Sequence, residues 1–155
     1  MHSRIFQVSK DFIEREDYID ESYYYDHWFV GQIADYVRDS DRAGDLDWLA
    51  SCARGYEVGT DELGEYLMIT NKEIYFTTKF ALFTESLNKA KEWTLSDFAN
   101  GTIVSDWWRF LHLYEDKYGF YIECDGDELM TLDTFIRYAD VNVKYYLGGT
   151  VDYHC

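Results

Sequence analysis

The 155-residue chain contains no proline. Pro-rich linkers, and with them a multidomain string, are therefore not expected, and the length suits one domain over residues 1–155. Cysteine is sparse. Cys52, Cys124 and Cys155 are an odd number at unrelated spacings, which excludes a disulfide framework. Cys155 does not stand fourth from the end, as a prenylation box needs. No apolar run approaches the roughly eighteen residues that span a bilayer. The opening MHSRIFQVSKDFIERED turns acidic before any apolar run of signal-peptide length. A cytoplasmic placement with no membrane partner is the resulting expectation. Basic residues are also scarce, 14 Lys and Arg against 30 Asp and Glu, for a net charge of −16. Such a charge repels phosphate backbones and anionic lipid, so direct nucleic-acid binding is disfavoured. Solenoid-length repeats are missing too.

What is present builds a core. Hydrophobic residues make up 47% of the chain and aromatics 19%, far from the composition of an acidic disordered tail. The charge is uneven: residues 1–65 carry sixteen acids and six bases, residues 66–155 fourteen and eight.

Local patterns give an α+β fold, an antiparallel β-sheet built from hairpins with several short helices packed on one face. RIFQVS (4–9) reads as a first strand. Phe29, Ile33, Tyr36 and Val37 recur at helical spacing, which predicts a helix from about residue 27 to Arg38. Asp45 is placed to cap a helix over 46–54, with Gly55 as its stop. EYLMIT (65–70) and EIYFTT (73–78) flank Asn71-Lys72 and read as a hairpin. Phe80, Phe83, Leu87 and Ala90 predict a helix, and LSDFANG (95–101) another ending on glycine. Residues 106–114 suit a helix face and a two-sided strand equally. GFYIEC-DG-DELMTL (119–132) reads as a type I′ hairpin, 131–139 as a short helix, and VNVKYYL-GG-TVDYH as a last hairpin about Gly148-Gly149.

Motifs for catalysis are few. Nucleophile-elbow, zinc-protease, phosphate-loop and Cys-x-x-Cys patterns do not occur. Asp39, Asp41, Gly44, Asp45 and Asp47 fall at EF-hand positions 1, 3, 6, 7 and 9, but Ala43 and Ala50 occupy positions 5 and 12. A loop without its bidentate twelfth carboxylate holds calcium weakly. Glu123, Asp125, Asp127 and Glu128 crowd one hairpin, where turn chemistry already accounts for Asp125. Cys124 with His112 or His27 is the available thiol–imidazole pair for a hydrolase, and a metal-dependent enzyme is the other enzymatic alternative. Neither metal nor cofactor is expected.

The segment EREDYIDESYYYDHW (14–28) combines carboxylates with tyrosines and Trp28. Carboxylates along a line suit a Lys/Arg-lined groove built for phosphates, and tyrosines add contact area at little entropic cost. In composition this resembles the small acidic inhibitors made by phages and mobile elements, without any family motif. The expectation is a non-enzymatic protein whose acidic face occupies a basic surface on a partner, such as a nucleic-acid-processing enzyme. An immunity protein against a nuclease toxin carries the same signature. Candidate contacts are Glu14, Glu16, Asp17, Asp20, Glu21, Tyr23 and Tyr24, with Asp39, Asp41 and Asp45 as a second patch. Tyr23, Tyr24, Tyr25 and Trp28, or Trp107 and Trp108, are candidates for a platform that stacks on sugars or bases, although the acidic field opposes nucleic acid.

Overall fold

The computed structural model describes residues 1–126 and 128–155. Seven strands form one sheet: β1 (His2–Ser9), β2 (Tyr36–Asp39), β3 (Tyr56–Thr60), β4 (Glu65–Ile69), β5 (Tyr121–Cys124), β6 (Glu128–Thr131) and β7 (Lys144–His154). Their order is β3-β4-β7-β1-β5-β6, with β2 pairing β7 as well. The sheet is mostly antiparallel; β1 and β5 run parallel. With six helices interspersed, the fold is α+β, as the pattern of elements predicts.

β7 organises the sheet. β1 lies along one side of it from His2 to Ser9. The other side is shared by β4, opposite residues 144–146, and β2, opposite residues 151–154. This corrects the expected hairpin at Gly148-Gly149: both glycines lie inside one continuous strand. The register shifts there, with Phe6 opposite Thr150 and Val8 opposite Leu147, so that Gln7 faces two residues. That is a β-bulge. It inverts the alternation of the strand: Tyr145 and Leu147 join one core cluster, Val151 and Tyr153 the other. A Cβ on Gly149 would overlap the backbone of Ile19, so the glycine is required by close approach and not by a turn.

Both faces of the sheet are covered. On one, Phe6, Val8, Ile122 and Leu147 pack with Leu46 and Leu49 of α2 (Arg42–Ser51) and Phe135 and Ile136 of α6 (Leu132–Tyr138). On the other, Ile5, Tyr121, Val151 and Tyr153 lie with Ile19, Tyr24 and Phe29 from the loop-rich segment between β1 and β2. That segment contains two short 3₁₀ turns, Arg15–Asp17 and Glu21–Tyr24, and α1 (Phe29–Gln32).

Three further expectations are corrected. The helix predicted to Arg38 stops within α1, because Val30 is extended and Gly31 sits at φ +91; Tyr36–Asp39 is then strand β2. The helix after it begins at Arg42, so Asp45 lies inside α2 and caps nothing. EIYFTT is not a strand. Asn71 caps a helix by accepting the Ile74 N–H at 3.0 Å, and α3 (Lys72–Ala90) runs on from it. The hairpin partner of β4 is β3. Helices α4 (Leu95–Ala99) and α5 (Val104–Tyr114) follow, the latter resolving 106–114 as helix. The 119–132 hairpin forms, with Asp125 and Gly126 both at positive φ, although Cys124 pairs with Glu128, one position beyond a two-residue loop. Asp127 lies outside the described residues.

Candidate protein-binding surface

Glu14, Glu16, Asp17, Asp20, Asp39 and Asp41 are exposed, and Glu21 is half-buried. The fold joins the two predicted patches. The Glu21 N–H donates to Asp39 Oδ1 at 3.1 Å, and the Asp39 N–H donates to Glu21 Oε2 at 3.3 Å. This reciprocal clasp ties the second 3₁₀ turn to the end of β2, so carboxylates eighteen residues apart become neighbours. Asp20 caps that turn, accepting from the Ser22 amide at 2.8 Å and the Ser22 hydroxyl at 2.6 Å. Those hydrogen bonds hold its carboxyl below the usual carboxylate range and keep it ionised.

Glu16, Asp17, Asp20 and Tyr23 border a groove of about 380 Å³ between the 3₁₀ turns and the β5–β6 turn. Glu123, buried, lies at the same groove. The Tyr23 hydroxyl donates to the Gly126 carbonyl at 3.2 Å, tying the segment to the hairpin, and Tyr23 stays 42% exposed.

Two predicted contacts are not on the surface. Tyr24 is fully buried against Phe29, and burial, then the nearby Glu123 carboxylate, push its phenol up. Its place in a run of three tyrosines on a 3₁₀ turn turns it inward while Tyr23 and Tyr25 face out. Asp45 is 4% exposed. Its carboxylate pairs with Arg4 Nε and accepts from the Ser40 hydroxyl at 2.5 Å and the Thr150 hydroxyl at 2.8 Å. The EF-hand-like segment is therefore a strand end and a helix, with its central carboxylate committed to an arginine.

Arg4 also pairs with Asp152, which meets Arg38 Nε at 2.6 Å and His2 Nδ1 at 3.0 Å. Arg42 Nε donates to the Gly148 carbonyl at 2.6 Å, and its guanidinium lies over the Tyr18 ring. The two arginines flanking Asp39 and Asp41 are thus committed elsewhere. Among the described residues, none of the seven carboxylates at 14, 16, 17, 20, 21, 39 and 41 joins an ion pair.

The Cys124 thiol meets the Asp125 carboxylate at 3.6 Å, and no hydrogen bond joins it to His27 or His112 among the described residues. Burial and the neighbouring Asp125 carboxylate push the Cys124 thiol up to about 12, which leaves it protonated and a poor nucleophile. A cavity of about 330 Å³ beside α3 contains Lys79, Asp116 and Asp133, which carry no motif in the sequence. Lys79 Nζ binds both Asp133 oxygens at 2.6 and 2.7 Å, and Asp133 also accepts from the Tyr75 hydroxyl and the Asp116 N–H. This network fixes the root of α3 to α6. Its members lie in separate segments, so only the fold brings them together.

No family model, curated protein or solved structure matches this chain.

Proposed function

We propose that the protein is a non-enzymatic binding protein whose acidic face, Glu14 to Glu21 with Asp39 and Asp41, occupies a basic surface on a partner protein. The observation that carries this reading is the uncompensated strip. Eight carboxylates elsewhere meet a basic side chain, for instance Asp133 with Lys79 and Asp61 with Lys144, while this contiguous set meets none among the described residues. Maintaining like charges side by side costs stability, and a Lys/Arg-lined surface removes that cost on docking. A surface evolved for phosphates has the matching chemistry, so the concrete form of the reading is nucleic-acid mimicry against a DNA- or RNA-processing enzyme. Tyr23 serves as the aromatic anchor beside the groove.

The test is capture from host lysate on the immobilised protein through a salt series. A basic protein held at low salt, released at high salt and displaced by duplex DNA is the expected result. The triple substitution Glu14→Lys, Glu16→Lys, Asp17→Lys changes side chains that make no hydrogen bond or ion pair among the described residues and should abolish retention with the unfolding midpoint unchanged. Retention by that folded variant equal to the parent would refute the assignment.

A further inference from the structure

Residues 72–114 leave the sheet between β4 and β5 as a helical arm. It is anchored where it meets the body: Tyr75 and Phe76 touch the core, Lys79 holds Asp133, and Arg137 of α6 donates to the Tyr114 carbonyl and lies over the Tyr114 ring. Beyond the root α3 packs on α5, with the Phe83 and Phe110 rings stacked at 4.4 Å and Trp107 stacked on Phe110 at 5.8 Å. Lys89 closes the seam on Asp106 at 2.8 Å. No side chain of α3, α4 or α5 is fully buried. Two helices cannot enclose a core by themselves.

α5 carries two apolar stripes. Ile103, Phe110 and Leu113 are half-buried towards the seam. Val104, Trp107, Trp108 and Leu111, spaced i, i+3, i+4, i+7, stay exposed, Trp107 to 49% and Trp108 to 55%, and Trp108 and Leu111 also border a cleft with Lys117, Tyr121 and Thr131 of the body. At the tip, Leu95 is 84% and Phe98 71% exposed. Trp93, Phe98, Ile103, Val104 and Trp107 surround an open apolar cavity of about 410 Å³. The buried Trp93 indole N–H finds no acceptor there among the described residues. At roughly 200 Å² per aromatic side chain, Phe98 and the two tryptophans leave on the order of 350 Å² uncovered. With the aliphatic neighbours and Phe80 the arm exposes about 700 Å² of apolar side chain in all, near the share each partner gives to a stable interface.

We infer that this arm is a self-association surface, and that its occupant is the arm of a second copy of the chain, packed side by side to complete a four-helix core. Charge selects that occupant. The arm holds five acids and five bases, so the net −16 of the chain resides wholly on the remainder. Two copies repel everywhere except along their arms. A basic partner is drawn to the body, and anionic lipid is repelled by it. With 19 residues in α3, antiparallel arms hold the two bodies roughly 28 Å apart. That is several times the Debye length of about 8 Å at physiological ionic strength. A two-fold arrangement also places each tip, Leu95 and Phe98, against its partner's α5 stripe.

Sedimentation velocity of the full chain over a concentration and NaCl series tests this. A dimer is expected whose dissociation constant falls as NaCl rises from about 0.01 M, where the Debye length of about 30 Å reaches from body to body, because screening removes only the body–body repulsion. That dependence is opposite in sign to docking of a basic partner on the acidic face, so failure of one reading does not decide the other. Trp107→Ser with Trp108→Ser should raise the dissociation constant at least tenfold, an ordinary loss for paired tryptophan anchors. Leu95→Lys, on a side chain that packs on almost nothing in one copy, is the second variant, with far-UV circular dichroism and urea midpoints confirming folding. Weakening by either folded variant supports the inference. A monomer at every concentration, or a dimer indifferent to both variants, overturns it. Arm-dependent binding of the monomer to phosphatidylcholine vesicles also overturns it, assigning the face to lipid.

Discussion

Single residues in this protein have sharply different tolerances. Gly149 donates its N–H to Gln7 Oε1 at 2.9 Å, and Ile19 donates to the same oxygen at 3.0 Å, so strand, bulge and crossing loop meet at one side-chain amide. Gly149→Ala forces the Ile19 backbone away and breaks this joint. A loss of about 2–3 kcal/mol, the upper range for overpacking, is expected in urea unfolding. A substituted protein as stable as the parent would show that the loop yields freely. The thiols differ as strongly. Cys52 is exposed, whereas Cys124 is half-buried with its thiol held near 12. Under native conditions near pH 8 a maleimide should label Cys52 at least tenfold faster than Cys124, and denaturation should remove the difference.

Among the elements, the joints between strands carry the testable energetics. Asp152 on β7 is 2% exposed and gathers Arg4 from β1, Arg38 from β2 and His2. Asp152→Asn removes the carboxylate that Arg4, Arg38 and His2 share and leaves Arg4 with Asp45 alone in a site mostly closed to water. A loss of about 3 kcal/mol is expected, with β2, which leans on this carboxylate at the margin of the sheet, showing the fastest amide exchange. The β3–β4 hairpin depends on Asp61 instead. Its carboxylate accepts from Lys144 Nζ at 2.5 Å, the Leu63 N–H at 2.9 Å and the Tyr146 hydroxyl at 3.1 Å. The lysine hydrogen bond, then those from the loop backbone, lower its pKa from 3.8 to about 2. The folded state therefore resists protonation that the unfolded state accepts. The stabilisation is complete above the unfolded value and fades as pH falls through about 4 towards 2. The stability gap between parent and Asp61→Asn should accordingly close on acidification, and a gap constant with pH would remove Asp61 from that role.

The same elements show what can be read from sequence. β1, β4, the 119–132 hairpin and the helices from 80 to 99 and 131 to 139 are legible because their periodicity and turn chemistry agree. EIYFTT misleads because β-branched and aromatic residues dominate it, while a cap three residues upstream of Ile74 overrides that preference. Gly-Gly in β7 misleads because a bulge and a turn ask for the same residue; only the crossing of Ile19, distant in sequence, separates them. In the candidate surface, exposure of Glu16 or Asp20 follows from composition. The Glu21–Asp39 clasp and the burial of Tyr24 and Asp45 depend on tertiary partners. The outward stripe of α5 has the spacing of a core-facing stripe, and no sequence pattern says whether a partner element lies over it.

For the whole molecule, charge and apolar surface are separated: a strongly acidic sheet body and a neutral helical arm. No helix among the described residues is long and apolar enough to cross a membrane. The two proposed surfaces are expected to answer oppositely to ionic strength, so one salt titration distinguishes them.

β7 follows every other strand along the chain and yet stands between β4 and β1 in the sheet. Residues 2–9 find their partners at residues 146–154, a separation close to the full length of the described chain. Until β7 is available, the β3–β4 and β1–β5–β6 groups have no shared strand and two open edges. Folding is thus a late, non-local closure, slow for a chain of this size because the loop entropy is lost before the pairing is gained. The acidic surface inherits that timing, since β7 is the strand on which the β2 end of its clasp pairs. During synthesis the strip of carboxylates exists first as loose chain and acquires its shape in the same step that completes the sheet.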